Sequence, residues 1–366
     1  MNYQAPLWLP GGNAQTIWPA LYARRFNGSP PLFRRERWTT PDADFVHVDW
    51  LVEGVVPTLP TSCGSRGFAG RVLRNASPLS PRMREKPLLV VFHGLEGSSA
   101  SHYAQAFADA AASRGWACAV PHFRGCSGEI NLAPRAYHSG DFAEIDWLLR
   151  RFAGVHAGPV VAVGVSLGGN ALMRWAGEMG GAAAQLVAGI ASVCAPLDLT
   201  ASGLAIGRGF NRLVYTRMFL QSMLPKALQK LAQHPGLFDR DALLAARDLQ
   251  AFDDVFTGPV HGFSGALDYW ASASAKPYLA AIAVPALVLN ALNDPFVPAA
   301  SLPRPADVSR LVTLWQPAQG GHVGFASSAF PAHVRAMPEA VADFLAAQLP
   351  PSALSELEWP DQSGAK

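Results

Sequence analysis

Gly164-Val165-Ser166-Leu167-Gly168 completes a G-x-S-x-G pattern, and its flanks decide how it reads. Before it, Pro159 to Val165 is short, apolar and Val-rich, as expected of a parallel strand buried on both faces. After it, Asn170 to Gly177 reads as the start of a helix. Strand, serine and helix in that order predict a sharp turn that lifts the Ser166 hydroxyl above the sheet edge. Gly164, Gly168 and Gly169 let the strand and helix backbones approach closely. A helix N-terminus under the hydroxyl favours negative charge developing there. In a chain with 33 glycines the bare pattern arises by chance, so the flanking elements carry the reading.

Outward from this turn the chain alternates strand and helix, which predicts a parallel sheet covered on both faces. The strand candidates are Leu88 to Phe92, Ala117 to Val120, Val160 to Val165, Val187 to Val193, Ala286 to Asn290 and Leu311 to Trp315. Helix candidates are Tyr103 to Ser113, Phe142 to Phe152, Ala171 to Met179 and Pro338 to Gln348. Arg35 to Glu53 alternates around Pro41-Asp42-Ala43-Asp44 and reads as a hairpin at a sheet edge. Residues 57–87, rich in Pro, Gly, Ser and Arg, read as a mobile basic insertion. The 197–283 stretch is too long for a simple crossover and has helical apolar spacing, so it reads as an inserted cap. The expectation is one domain over 1–349, followed by a tail over 350–366.

A serine hydroxyl is a weak nucleophile, so it needs a base, and the base needs a partner that fixes its tautomer. On this architecture the expected chain order is Ser166, acid, histidine. His322 fits the base, because it follows the last strand candidate inside Gln319-Gly320-Gly321-His322-Val323-Gly324. His93, His102, His122 and His138 read as packing or hydrogen-bonding residues. Asp294 fits the acid, since Asn290-Ala291-Leu292-Asn293-Asp294-Pro295 ends a buried strand at its ligand-binding, C-terminal side. Asp198, after Pro196-Leu197, is the rival acid, with helix capping the alternative use of either carboxylate. A tetrahedral intermediate also needs two backbone donors. Leu167, next after the serine, supplies one, and Leu95 in His93-Gly94-Leu95-Glu96-Gly97-Ser98 the other. Glu96 reads as a solvated loop carboxylate.

Composition narrows the classes. At 366 residues and half apolar, the chain can bury a large core. A net charge of +2 gives no reason to expect nucleic acid. The charge is uneven, however, with five Arg/Lys and no acid between Asp198 and Asp239. Basic residues interleaved with apolar ones from Arg208 to Leu231 read as a cap helix lining an acyl pocket, its basic face open to anionic lipid or simply solvated. Cys63, Cys118, Cys126 and Cys194 lack paired spacing, which points to a reducing compartment. No secretion signal or run of about 18 apolar residues is read, so a cytoplasmic location is expected. No metal ligand spacing and no G-x-G-x-x-G phosphate loop is found, so neither metal nor cofactor is expected.

With turn, donor loop, acid and histidine in order, the chain resembles the α/β-hydrolases, and within them the YheT-like branch. The resemblance extends beyond those residues. It includes W-L-P-G-G-N-A-Q-T, H-G-L-E-G-S-S, F-R-G-C-S-G-E-I-N, A-Y-H-S-G-D, G-V-S-L-G-G-N, P-L-D-L, F-D-D with P-V-H-G-F, and G-G-H-V-G-F, between about residues 7 and 325. It implies the α/β-hydrolase fold with a mainly helical cap and a serine esterase or lipase-like activity on short- to medium-chain acyl esters. Eukaryotic relatives act on medium-chain esters, monoacylglycerols and phospholipids, some transferring the acyl group to alcohols. The family usually has paired aspartates where this chain has Asn293-Asp294. An acyltransferase, suggested also by the His234 to Asp239 spacing, and a catalytically silent binding module remain as alternatives.

Overall fold

The Val- and Leu-rich runs become the centre of a nine-stranded sheet. In this computed structural model the described residues are 3–52, 71–73 and 79–351. The strands are β1 (Leu32–Thr39), β2 (Phe45–Leu51), β3 (Arg71–Leu73), β4 (Leu88–Phe92), β5 (Ala117–Pro121), β6 (Val160–Val165), β7 (Gly189–Val193), β8 (Ala286–Leu289) and β9 (Val312–Trp315). Their order is β3-β1-β2-β5-β4-β6-β7-β8-β9. From β5 to β9 every pairing is parallel. Parallel strands covered on both faces must be apolar throughout, and every residue of β4, β5 and β6 is buried.

Side chains alternate across β4. Leu88, Val90 and Phe92 pack with Ile145, Leu148 and Leu172, so the Phe142–Val155 and Leu167–Met179 helices cover one face. Leu89 and Val91 pack with Phe107, Val341 and Leu345, placing the His102–Ser113 and Ala336–Ala346 helices on the other. After β4 the chain first goes to β5 on one side, then returns to β6 on the other. Such a switch opens a crevice at the strands' C-terminal ends. The loop from His93 and the turn at Ser166 both lie there.

Two expectations need correction. The hairpin of β1 and β2 forms, with Thr39 opposite Phe45, but it does not lie at the edge. Its second strand pairs with β5, and β3 adds in parallel to β1 and takes the edge position. That edge strand comes from within 57–87, a stretch expected to be irregular, which also holds the short Pro81–Glu85 helix. The rest of that expectation falls on 57–70 and 74–78, outside the described residues, as does most of the tail, 352–366. Between β7 and β8 the chain is helical, with Leu199–Ile206, Arg217–Gln233 and Ala266–Ala273 as its longer helices.

Candidate active site

Ser166 sits between β6 and the Leu167–Met179 helix with φ 52° and ψ −118°, a conformation that costs a non-glycine residue about 1–3 kcal/mol. The surroundings enforce it. Its amide donates to Val193 O at 2.8 Å, and its carbonyl accepts from Gly169 N and Asn170 N. Gly168 is required by proximity, since a Cβ there would lie 2.5 Å from Phe92 O and 2.6 Å from His93 O. The turn is therefore pressed directly onto the end of β4.

His322 Nε2 lies 3.0 Å from Ser166 Oγ, and His322 Nδ1 lies 2.8 Å from Asp294 Oδ2. A carboxylate only accepts, so Nδ1 carries the proton and Nε2 of the neutral ring is left to accept from the serine. Asp294 is held in turn, its Oδ1 receiving Phe296 N at 2.7 Å and Val297 N at 3.3 Å. Its side chain is fully buried, and the Phe296 ring lies 4.2 Å from the His322 ring. The rival Asp198 is turned elsewhere, capping the Leu199–Ile206 helix through Ala201 N at 2.9 Å.

The loop after β4 approaches the same serine: a Cβ on Gly94 would lie 3.2 Å from Ser166 Cβ. Most of its amides are engaged. Gly94 N donates to Tyr103 Oη, Glu96 N to Tyr137 Oη and Gly97 N to Gly94 O. Leu95 N has no acceptor among the described residues, and neither does Leu167 N at the first turn of its helix. Two unengaged donors thus flank the serine.

Glu96 departs from its expected solvated state. Its side chain is largely buried, accepts from Tyr137 Oη at 3.0 Å, and pairs with Lys226 Nζ at 2.8 Å. Lys226 comes from the Arg217–Gln233 helix, which lies over the loop and removes it from water. The histidines other than His322 have structural partners. His93 Nε2 accepts from Phe123 N, and burial pushes its pKa down to about 3. His122 bonds Asp49, and His138 packs against His261 and Tyr269. His234 bonds Leu132 O, while Asp239 caps Arg240–Ala245, so that spacing belongs to helix termini.

Sequence reasoning gave no role to the residues that hold the histidine loop. Thr16 Oγ1 accepts from His322 N at 2.9 Å. Gln15 Oε1 accepts from Gly320 N and from Asn293 Nδ2, both at 2.9 Å, and Asn293 Oδ1 accepts from Gly321 N at 3.0 Å. The Gly11–Leu21 helix thus latches the loop, and Gly324 lets it: a Cβ there would overlap Gln15 O. Asn293 uses its amide as donor and acceptor, which a carboxylate could not do.

A pocket opens from Ser166 and His322, lined by Ile206, Phe219, Met223, Phe252, Phe256 and Phe296 among others. Its walls are mainly apolar. Charged groups interrupt them, the Glu96–Lys226 pair and the buried Asp253 included; Asp253 receives Trp270 Nε1 at 2.8 Å, and burial raises its pKa to about 6. Cys194, Asp294 and His322 form, among the described residues, a donor group compact enough for a metal ion. Burial and the Asp294 charge push the Cys194 thiol well up, and its Sγ accepts from Val323 N at 3.2 Å, beside the histidine.

The family model described as alpha/beta hydrolase fold matches residues 87–329, and the chain belongs to that family. It falls in the YheT-like branch and is an ester-hydrolysing enzyme. It is 38% identical to the candidate esterase YheT of Escherichia coli (strain K12) over 316 residues, 85% of this chain and 83% of that protein. It is 28% identical to phospholipase ABHD3 of Mus musculus, over 95% of this chain and 79% of the relative. The medium-chain fatty acid ethyl ester synthase/esterase 2 of Saccharomyces cerevisiae is 29% identical over 58% of this chain and 52% of its own length.

Proposed function

We propose that the enzyme hydrolyses short- to medium-chain acyl esters through a covalent acyl-enzyme on Ser166. Ser166 Oγ attacks the acyl carbon while His322 Nε2 takes its proton, and Asp294 holds the resulting imidazolium. Charge gathers on the former carbonyl oxygen, where the Leu95 and Leu167 amides donate. Collapse breaks the bond to the alkoxy oxygen, which leaves with the proton from His322. Water then attacks the acyl carbon, gives its proton to the same nitrogen, and the carboxylic acid departs as Ser166 Oγ is reprotonated.

The observation that carries this reading is the chain of contacts from Asp294 through His322 to Ser166 at the mouth of an apolar pocket. Such a pocket suits an acyl chain, and the strained serine turn keeps Oγ aimed at its opening. The test is to mix enzyme with p-nitrophenyl butyrate and quench in the first turnover. Mass spectrometry should find a butyryl group on the Ser166 peptide. Burst turnover with no adduct there would overturn the acyl-enzyme reading.

A further inference from the structure

We infer that the face formed by residues 208–218 and the neighbouring aromatic cluster docks the enzyme on an anionic lipid bilayer. This goes beyond the proposed chemistry, which needs only a dissolved ester.

The 208–218 segment exposes apolar and cationic side chains together. Leu213 is 73%, Met218 52% and Phe210 49% exposed. Arg208, Arg212 and Arg217 are exposed among them, and none has a carboxylate partner among the described ion pairs. The sequence offers no acid between Asp198 and Asp239 to neutralise them locally. Folding alone gives no reason to hold large apolar groups in water beside unpaired arginines.

A second apolar group surrounds Trp18 of the Gly11–Leu21 helix. Trp18 packs against Trp8, Tyr22 and Phe330, and the outer members stay open, with Tyr22 60% and Phe330 68% exposed. The Gly11–Leu21 helix that carries Trp18 also touches the 208–218 segment. Tyr215 Oη donates to Asn13 Oδ1 at 2.9 Å, and Ile17 packs with Tyr215 and Phe296. Large apolar side chains exposed in groups mark an interaction surface. Aromatic groups suit the boundary between lipid and water.

Charge decides the occupant. A second copy of the chain docked by two-fold symmetry would bring the same arginines face to face, and like charges would repel. An anionic bilayer accepts the apolar groups below its headgroups and pairs the arginines at that level. The site geometry fits: Phe219 and Met223, which line the acyl pocket, follow directly on the helix that continues this face. No helix among the described residues is long and apolar enough to cross a membrane, so the contact is peripheral.

The experiment is co-sedimentation of the full chain with phosphatidylcholine vesicles, with and without phosphatidylglycerol. Binding is expected only with phosphatidylglycerol and should weaken as salt rises. Arg212→Gln and Arg217→Gln should each lower the partition coefficient roughly fivefold. The Leu213→Ser/Met218→Ser double variant should lose roughly tenfold or more. All variants should keep the wild-type melting temperature and turnover of p-nitrophenyl acetate, so loss of binding is separable from loss of fold or of the proposed chemistry. Absence of binding to anionic vesicles, or equal binding by the double variant, would overturn the proposal. So would a dimer seen by light scattering that Leu213→Ser dissociates, which would assign the face to a second copy.

Discussion

Replacing Thr16 by valine keeps the β-branched shape and deletes the one acceptor of the His322 amide. A buried amide left without a partner costs about 1–3 kcal/mol. Three further bonds, through Gln15 and Asn293, still restrain Gly320 and Gly321, so the loop should shift rather than unfold. A shift is enough to matter. His322 Nε2 already stands 3.0 Å from Ser166 Oγ, and misplacement of about 1 Å costs on the order of 100-fold in rate. Thr16→Val should therefore lower kcat by roughly 10- to 100-fold. KM should hold, because Thr16 does not line the pocket. Steady-state kinetics on p-nitrophenyl butyrate, with urea unfolding alongside, separates the two effects. A variant that loses the expected stability and keeps wild-type kcat would refute a positioning role for Thr16, and show that the Gln15 and Asn293 bonds hold the histidine without it.

Gly168→Ala should destabilise by roughly 1–3 kcal/mol or more, since its Cβ would meet two backbone oxygens, and urea unfolding would read the change. Acid should weaken the fold through His93. Its folded pKa of about 3 lies below the unfolded value of about 6.5, so the unfolded chain binds the extra proton between these values. Stability is then lost as pH falls from 6.5 towards 3, with His93 contributing up to about 1.4 kcal/mol per pH unit. His93→Gln should flatten that slope in unfolding curves taken across the window. Met223→Trp, which narrows the pocket, should move the chain-length optimum towards acetate, and an unchanged optimum would place the acyl group elsewhere.

The parallel core was legible because burial on both faces demands unbroken apolar runs, as in β4 and β6. The β3 edge was hidden. It is three residues long and lies in Pro- and Gly-rich sequence, where neither alternation nor length gives a signal. Ser166, Asp294 and His322 could be picked out because each follows a recognisable strand, and the structure brings the three together. Gln15 and Thr16 could not, being polar residues some 300 positions from the loop they hold. The quoted W-L-P-G-G-N-A-Q-T segment was the available hint. Glu96 was misread because a lone loop carboxylate looks solvated until the helix carrying Lys226 is laid over it. The F-D-D motif likewise gained meaning only in three dimensions, with Asp253 bonding Trp270 and Asp254 bonding the Ala266 amide.

The central claim is that Ser166 is the nucleophile of an ester hydrolase. The most direct measurement is turnover of a p-nitrophenyl ester series from acetate to palmitate by wild type and Ser166→Ala, with fluorophosphonate labelling of both. Wild type should label and turn over short- to medium-chain esters, and the variant should not label and should lose kcat by roughly 10⁴- to 10⁶-fold. Turnover that survives the substitution, or a well-folded wild type that neither labels nor hydrolyses any ester, would contradict the claim.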